Sequence, residues 1–186
     1  MRELSLHFLD IAENSVAAKA TNIHISVEED CVTDRLAISI EDDGIGMDEE
    51  MVKKVTDPFV TSRTTRKVGL GLSLLKENAE DCNGNFEIHS VLGKGTKVDA
   101  DFQNSHIDRM PLGDLPGTWL SLLVGFPVVH WVFRYRYNQS VFEFDDELIK
   151  NTLQDIPLSE PEVLSYLRQE LEHGITQVKP QATSEI

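Results

Sequence analysis

Four short stretches carry residue types and spacings that could do chemistry. In Leu9-Asp-Ile-Ala-Glu-Asn-Ser-Val-Ala-Ala-Lys-Ala20, Asp10 and Asn14 stand four positions apart. On a helix that spacing stacks a carboxylate and an amide on one face. Ala17 and Ala18 continue that face with almost no side chain and leave a shelf for a ligand. In Glu41-Asp-Asp-Gly-Ile-Gly-Met47, Asp42 precedes glycines at 44 and 46. Glycine lets the backbone turn sharply and approach a ligand. A carboxylate at the start of such a turn can accept a hydrogen bond from an exocyclic amine. Gly69-Leu70-Gly71-Leu72-Ser73 opens a helix whose free N–H groups and partial positive charge suit a phosphate. Gly95-Thr96 follows Leu92-Gly-Lys before a last strand. Taken singly, these stretches also read as a surface helix, an ordinary hairpin turn and a helix start.

The elements that must hold these residues follow from periodicity. A helix is expected over 5–20, with Leu9, Ala12, Val16 and Ala20 as its buried stripe. Ile23, Ile25 and Val27 alternate with polar residues as a strand does, and Leu36, Ile38 and Ile40 do the same. Asp48 is the expected N-cap of a short helix over 49–55. Residues 57–67 are rich in hydroxyls and cations. They read as a mobile cover whose Arg63, Arg66 and Lys67 face phosphate. The helix opening at Gly69 runs to about Cys82 on a stripe of Leu72, Leu75, Ala79 and Cys82, with Gly84 as C-cap. Residues 85–91 and 96–102 form a hairpin.

Composition excludes several classes. The chain has 186 residues, a hydrophobic fraction of 40% and a formal net charge of -15. That apolar content suffices for a packed core. The charge disfavours nucleic acid and anionic lipid as partners, since phosphate contacts need clustered Lys and Arg. Cys31 and Cys82 make neither a disulfide framework nor a metal spacing, and His7, His24, His89, His130 and His173 show no metal spacing. The apolar run over 119–133 is too short and too interrupted to span a membrane. No secretory signal is evident, so a cytoplasmic location is expected.

The rest of the chain has no chemical motif of its own. Residues 105–117 read as a linker and 118–175 as a small α+β module for binding a protein partner. The module comprises a helix over 118–124, a hairpin turning at Asn138-Gln139, a helix capped by Asp145, and a helix from about 159 to 174. Residues 176–186 read as a frayed tail.

In this order and at this spacing the four motifs resemble the GHKL superfamily of ATP-binding domains, which includes gyrase, the heat-shock chaperones, histidine kinases and MutL. The resemblance covers residues 1–104. It implies the Bergerat fold, a mixed α+β sheet covered on one face by helices, with ATP between helices and a lid. It further implies Asn14 as the ligand of a magnesium ion, Asp10 as the general base and Asp42 as the reader of the adenine amine. Gly44, Gly46 and Met47 fall beside the base, and Gly69, Leu70, Gly71 and Leu72 at the phosphates. Thr96 falls near adenine, and Arg63 and Lys67 belong to the lid. Asp10 replaces the usual glutamate and is about 1.5 Å shorter, so ATP binding is expected, with slow ATP hydrolysis or phosphoryl transfer to a protein as the enzymatic options. A relic pocket on a binding scaffold is the non-enzymatic alternative. Ser105-His-Ile-Asp-Arg-Met-Pro111 is similar to the phosphoacceptor box of histidine kinases. Its acid comes one place late, and it follows the ATP domain instead of preceding it, so His106 reads as a linker histidine.

Overall fold

The computed structural model describes residues 3–56, 71–154 and 156–179. Helix α1 (Leu4–Ala17) leads into β1 (Asn22–Asp30) and β2 (Arg35–Asp42). Helices α2 (Glu49–Val55) and α3 (Gly71–Asp81) precede β3 (Phe86–Val91) and β4 (Gly95–Gln103). Then come α4 (Leu115–Gly125), β5 (His130–Tyr137), β6 (Ser140–Asp145), α5 (Asp146–Leu153) and α6 (Pro161–Val178).

The six strands form one mixed sheet in the order β3-β4-β2-β1-β5-β6. Alternation decides its two faces. Ile23, Ile25 and Val27 of β1 and Leu36, Ile38 and Ile40 of β2 are buried toward the helices. The opposite face carries His24, Ser26, Arg35, Ser39, Lys97 and Arg134 around a polar hollow of about 680 Å³. This is an α+β sandwich of the Bergerat type, with helices on one face.

Residues 115–178 are continuous with this sheet. Strand β5 pairs in parallel with β1, from Asn22↔His130 to Glu29↔Tyr137, so the second half extends the sheet of the first. Helix α4 packs on α1 and α6. Trp119 stacks on Phe133 at 4.9 Å, and both are fully buried. The stretch expected to be a linker is tied down at both ends. Asp34 accepts from Ser105 Oγ at 2.6 Å, and the Leu4 and Ser5 N–H groups donate to the carbonyls of Pro111 and Leu112. Its last residues open α4, with Asp114 accepting from the Gly117 N–H. The last helix passes Gly174 and runs through Val178, so residues 176–178 form its closing turn rather than a tail. Beyond it, Lys179 Nζ reaches the buried Glu29 carboxylate at 2.8 and 3.0 Å. Tyr135 Oη donates to the same carboxylate.

Two local expectations change. The buried stripe of α1 is Leu4, His7, Phe8, Ile11, Ala12 and Ser15, while Leu9 and Val16 are half-buried. The helix packs on α3, α4 and the sheet, with His7 bonded to the Gly71 carbonyl and Ser15 to Asp42. Helix α3 closes on Asn83, whose φ of 56° takes the left-handed turn, and the Gly84 N–H donates to the Ala79 carbonyl. Gly84 is needed for another reason: a Cβ there would lie 1.7 Å from the Asp101 carbonyl oxygen. Among the described residues, no helix is long and apolar enough to cross a membrane.

Candidate functional site

A cavity of about 400 Å³ opens between α1, the β2–α2 turn, the start of α3 and β4. That is a size suited to a small organic ligand. Its walls are mostly apolar: Ile11, Ile40, Ile45, Met51, Leu92 and Val98. Asn14, Asp42, Gly46, Met47, Leu72 and Thr96 also line it. Six of the candidate residues therefore converge on one hollow. None of them lines the larger polar hollow on the open sheet face.

Asp42 is the most constrained group in the cavity. It is the last residue of β2, opposite Thr96 of β4. Its Oδ2 accepts a 2.6 Å hydrogen bond from Ser15 Oγ, and its Oδ1 accepts from the Gly44 N–H at 2.8 Å. Each carboxylate oxygen keeps lone-pair capacity for a further donor. Gly44 does not line the cavity but holds its wall: a Cβ there would fall 2.8 Å from the Ala18 carbonyl oxygen and 2.9 Å from Asp42 Oδ1. Gly46 needs its glycine conformation, with φ of 64° and the Val91 carbonyl oxygen 2.1 Å from where a Cβ would stand. Asp48 caps α2 by accepting from the Met51 N–H at 2.8 Å, as the sequence predicts.

Thr96 is positioned by a residue that sequence reasoning missed. Ser90 Oγ accepts from the Met47 N–H at 2.8 Å, donates to the Gly95 carbonyl at 3.0 Å, and lies 2.8 Å from Thr96 Oγ1. It thereby joins the glycine turn to β4. Ser15 plays the same part for Asp42. A single serine inside a helix or strand has no periodic signature; its adjacency to Asn14 is the only hint.

Asp10 and Gly71 meet each other beside the cavity rather than lining it. A Cβ on Gly71 would lie 1.9 Å from Asp10 Oδ2. That oxygen is buried and has no hydrogen bond among the described residues. Asp10 stands one helical turn before Asn14, whose side-chain amide has no hydrogen bond among the described residues. His7, one turn further back and fully buried, clamps the start of α3 through a 3.2 Å bond from Nδ1–H to the Gly71 carbonyl. Burial pushes its imidazole pKa down. Of the other expected site residues, Arg63, Lys67, Gly69 and Leu70 lie outside the described residues, as does Arg66. His106 lies in a turn after β4.

Comparison with known proteins agrees with this architecture. The family described as "Histidine kinase-, DNA gyrase B-, and HSP90-like ATPase" matches residues 2–105. A putative sensor protein of Shewanella frigidimarina is 35% identical over 99 residues, which is 52% of this chain and 15% of that protein. The sensor histidine kinase YxdK of Bacillus subtilis is 32% identical over 90 residues, 46% of this chain and 27% of that one. The chain thus spans under a third of the length of these relatives. The structure of the Aquifex aeolicus MutL ATPase domain complexed with ADP is similar with a TM-score of 0.54 at 13% identity. That likeness covers 93% of this chain and 70% of the MutL chain, and it concerns the fold. Sheet, cavity and matched sequence agree: the chain belongs to the GHKL family of histidine kinase-, DNA gyrase B- and HSP90-like ATPases.

Proposed function

We infer that the cavity binds ATP with magnesium, and that nucleotide binding governs how this protein meets a protein partner in the cytoplasm. The observation that carries this reading is Asp42: a carboxylate held from two sides at the floor of a mostly apolar hollow of about 400 Å³. The exocyclic amine of adenine donates to such a carboxylate, whereas the guanine oxo group at the same place would repel it. Thr96, anchored by Ser90, offers a hydroxyl at the same wall.

The phosphates then run toward Asn14 and the N-terminus of α3, where the helix dipole favours anions. Magnesium prefers oxygen donors and retains water. The Asn14 amide, free of other hydrogen bonds among the described residues, suits such an ion, which would neutralise phosphate charge. Asp10 is the candidate base: a carboxylate with one unpartnered oxygen, placed at Gly71. It would orient a water or an acceptor hydroxyl and take its proton. Being one methylene shorter than glutamate, it supports slow hydrolysis at most.

A second reading, transfer of the terminal phosphoryl group to a protein side chain, is favoured by relatives described as a sensor histidine kinase and a sensor protein kinase. Isothermal titration with a non-hydrolysable ATP analogue and magnesium tests the first reading. Saturable binding lost in Asp42→Asn supports it, and no heat at millimolar nucleotide refutes it. Incubation with labelled ATP and candidate partners distinguishes transfer from hydrolysis.

A further inference from the structure

Away from the nucleotide cavity, the far edge of the sheet gathers three metal-ligating side chains. His130 opens β5, Asp145 ends β6, and Asp146 opens α5. His130 Nε2 lies 2.9 Å from Asp145 Oδ1 and 3.9 Å from Asp146 Oδ1, and the donor atoms of the three all fall within 4.8 Å of one another. The β5–β6 hairpin brings them together across fifteen positions of sequence, where no ligand spacing is readable.

The surroundings orient these atoms toward a cation. Asn22 spends its amide N–H groups on Asp43 Oδ2 at 2.6 Å and Thr21 Oγ1 at 3.1 Å. Its Oδ1 therefore accepts from His130 Nδ1–H at 3.0 Å, which aims Nε2 at the two carboxylates. A cation there takes the place of the Nε2 proton and meets three acceptor atoms. Asp146 is 2% exposed, and its Oδ1 has no well-aligned hydrogen bond among the described residues. Lys150 Nζ pairs with its other oxygen at 2.6 Å and also donates to the Val129 carbonyl.

We propose that His130, Asp145 and Asp146 bind one divalent transition-metal ion of the zinc class, tying the β5–β6 hairpin and α5 to β1. Donors about 2.0–2.1 Å from a tetrahedral zinc lie about 3.3 Å apart, between the two separations seen here. One imidazole and two carboxylates fit zinc, cobalt or manganese, and water completes the coordination. Asn22 supplies the outer hydrogen bond that metal-bound histidines take.

Cobalt is the probe. The full chain, stripped with chelator and kept free of nucleotide and magnesium, is titrated with Co²⁺ and followed by visible absorption, then with Zn²⁺ followed by melting temperature. One equivalent of cobalt should give a ligand-field band that zinc displaces. His130→Gln should lose it at least tenfold in affinity while keeping the circular dichroism of the metal-free protein. Lys150→Met removes the competing cation and should tighten binding about tenfold. An unchanged band in His130→Gln overturns the proposal, as does no band in wild type. Should His130→Gln fail to fold, anomalous scattering from zinc-soaked wild-type crystals decides: a peak between the three side chains supports the site, and its absence leaves only a histidine–aspartate ion pair.

Discussion

Ser15 Oγ donates a 2.6 Å hydrogen bond to Oδ2 of Asp42, joining α1 to the end of β2 across the floor of the cavity. Asn14, the adjoining residue of α1, lines the same cavity, so one helical turn supplies two of its lining residues. Removing the hydroxyl leaves the carboxylate, among the described residues, with the Gly44 N–H alone to fix it. A hydrogen bond to a charged group contributes about 1.5–3 kcal/mol. Ser15→Ala is therefore expected to weaken ATP-analogue binding by about tenfold with little change in fold, and Asp42→Asn to weaken it more. Titration calorimetry on both variants checks the order. Equal affinity of Ser15→Ala and wild type would contradict the anchoring role.

Gly46 tests the shape of the cavity wall. Its φ of 64° and its approach to the Val91 carbonyl leave no room for a methyl group. Gly46→Ala should shift the turn carrying Ile45 and Met47, lower the melting temperature by several degrees and reduce nucleotide affinity. Gly93→Ala is the matching control. Gly93 also has positive φ, at 76°, but a Cβ there meets nothing within 4 Å. It should lose some stability from backbone strain and keep its affinity.

Asn14, Asp42 and Gly46, which line the cavity, and Asp10 beside it stood out in the sequence because carboxylate, amide and glycine spacings survive as local patterns. Asp42 and Gly46 lie within one turn, and Asp10 and Asn14 within one helical repeat. Ser15 and Ser90 were not legible, since their partners lie 27 residues away for Ser15 and 43 for the Met47–Ser90 bond. The strands were readable from alternation, but not the parallel pairing of β1 with β5, which joins residues from opposite halves of the chain. That pairing is why residues 118–175 looked like a module of their own. The shifted stripe of α1 was hidden for the same reason, because His7 and Ser15 find their partners on α3 and β2, far along the chain.

Continuity of the sheet has a measurable consequence. Ending the chain after residue 105 would unpair one side of β1 and strip α4 from α1. Buried Trp119, Trp131 and Phe133 are the core that would be lost with the removed half. The truncated protein should aggregate or unfold at far lower denaturant than the whole chain. Equilibrium urea unfolding followed by tryptophan fluorescence in the whole chain should be a single transition, since both tryptophans sit in the core that α1 shares. Two resolved transitions in the whole chain, with a stable 1–105 fragment, would mark the second half as independent.

His7 couples acidity to the start of α3. It is buried, its Nδ1–H is committed to the Gly71 carbonyl, and its Nε2 has no hydrogen bond among the described residues. Burial holds its folded pKa below the ordinary 6.5. The unfolded chain therefore binds a proton that the folded chain refuses. By linkage, stability is fully present above about pH 6.5 and declines as pH falls from there toward the lowered folded value. Protonation within the fold would place a charge beside the first turn of α3, the segment that packs on Asp10. Urea unfolding between pH 8 and pH 5.5 should thus show a decline in wild type. That decline should be flatter in His7→Gln, whose amide can still donate to the Gly71 carbonyl but does not titrate. A wild-type curve no steeper than the variant's would remove His7 as the cause.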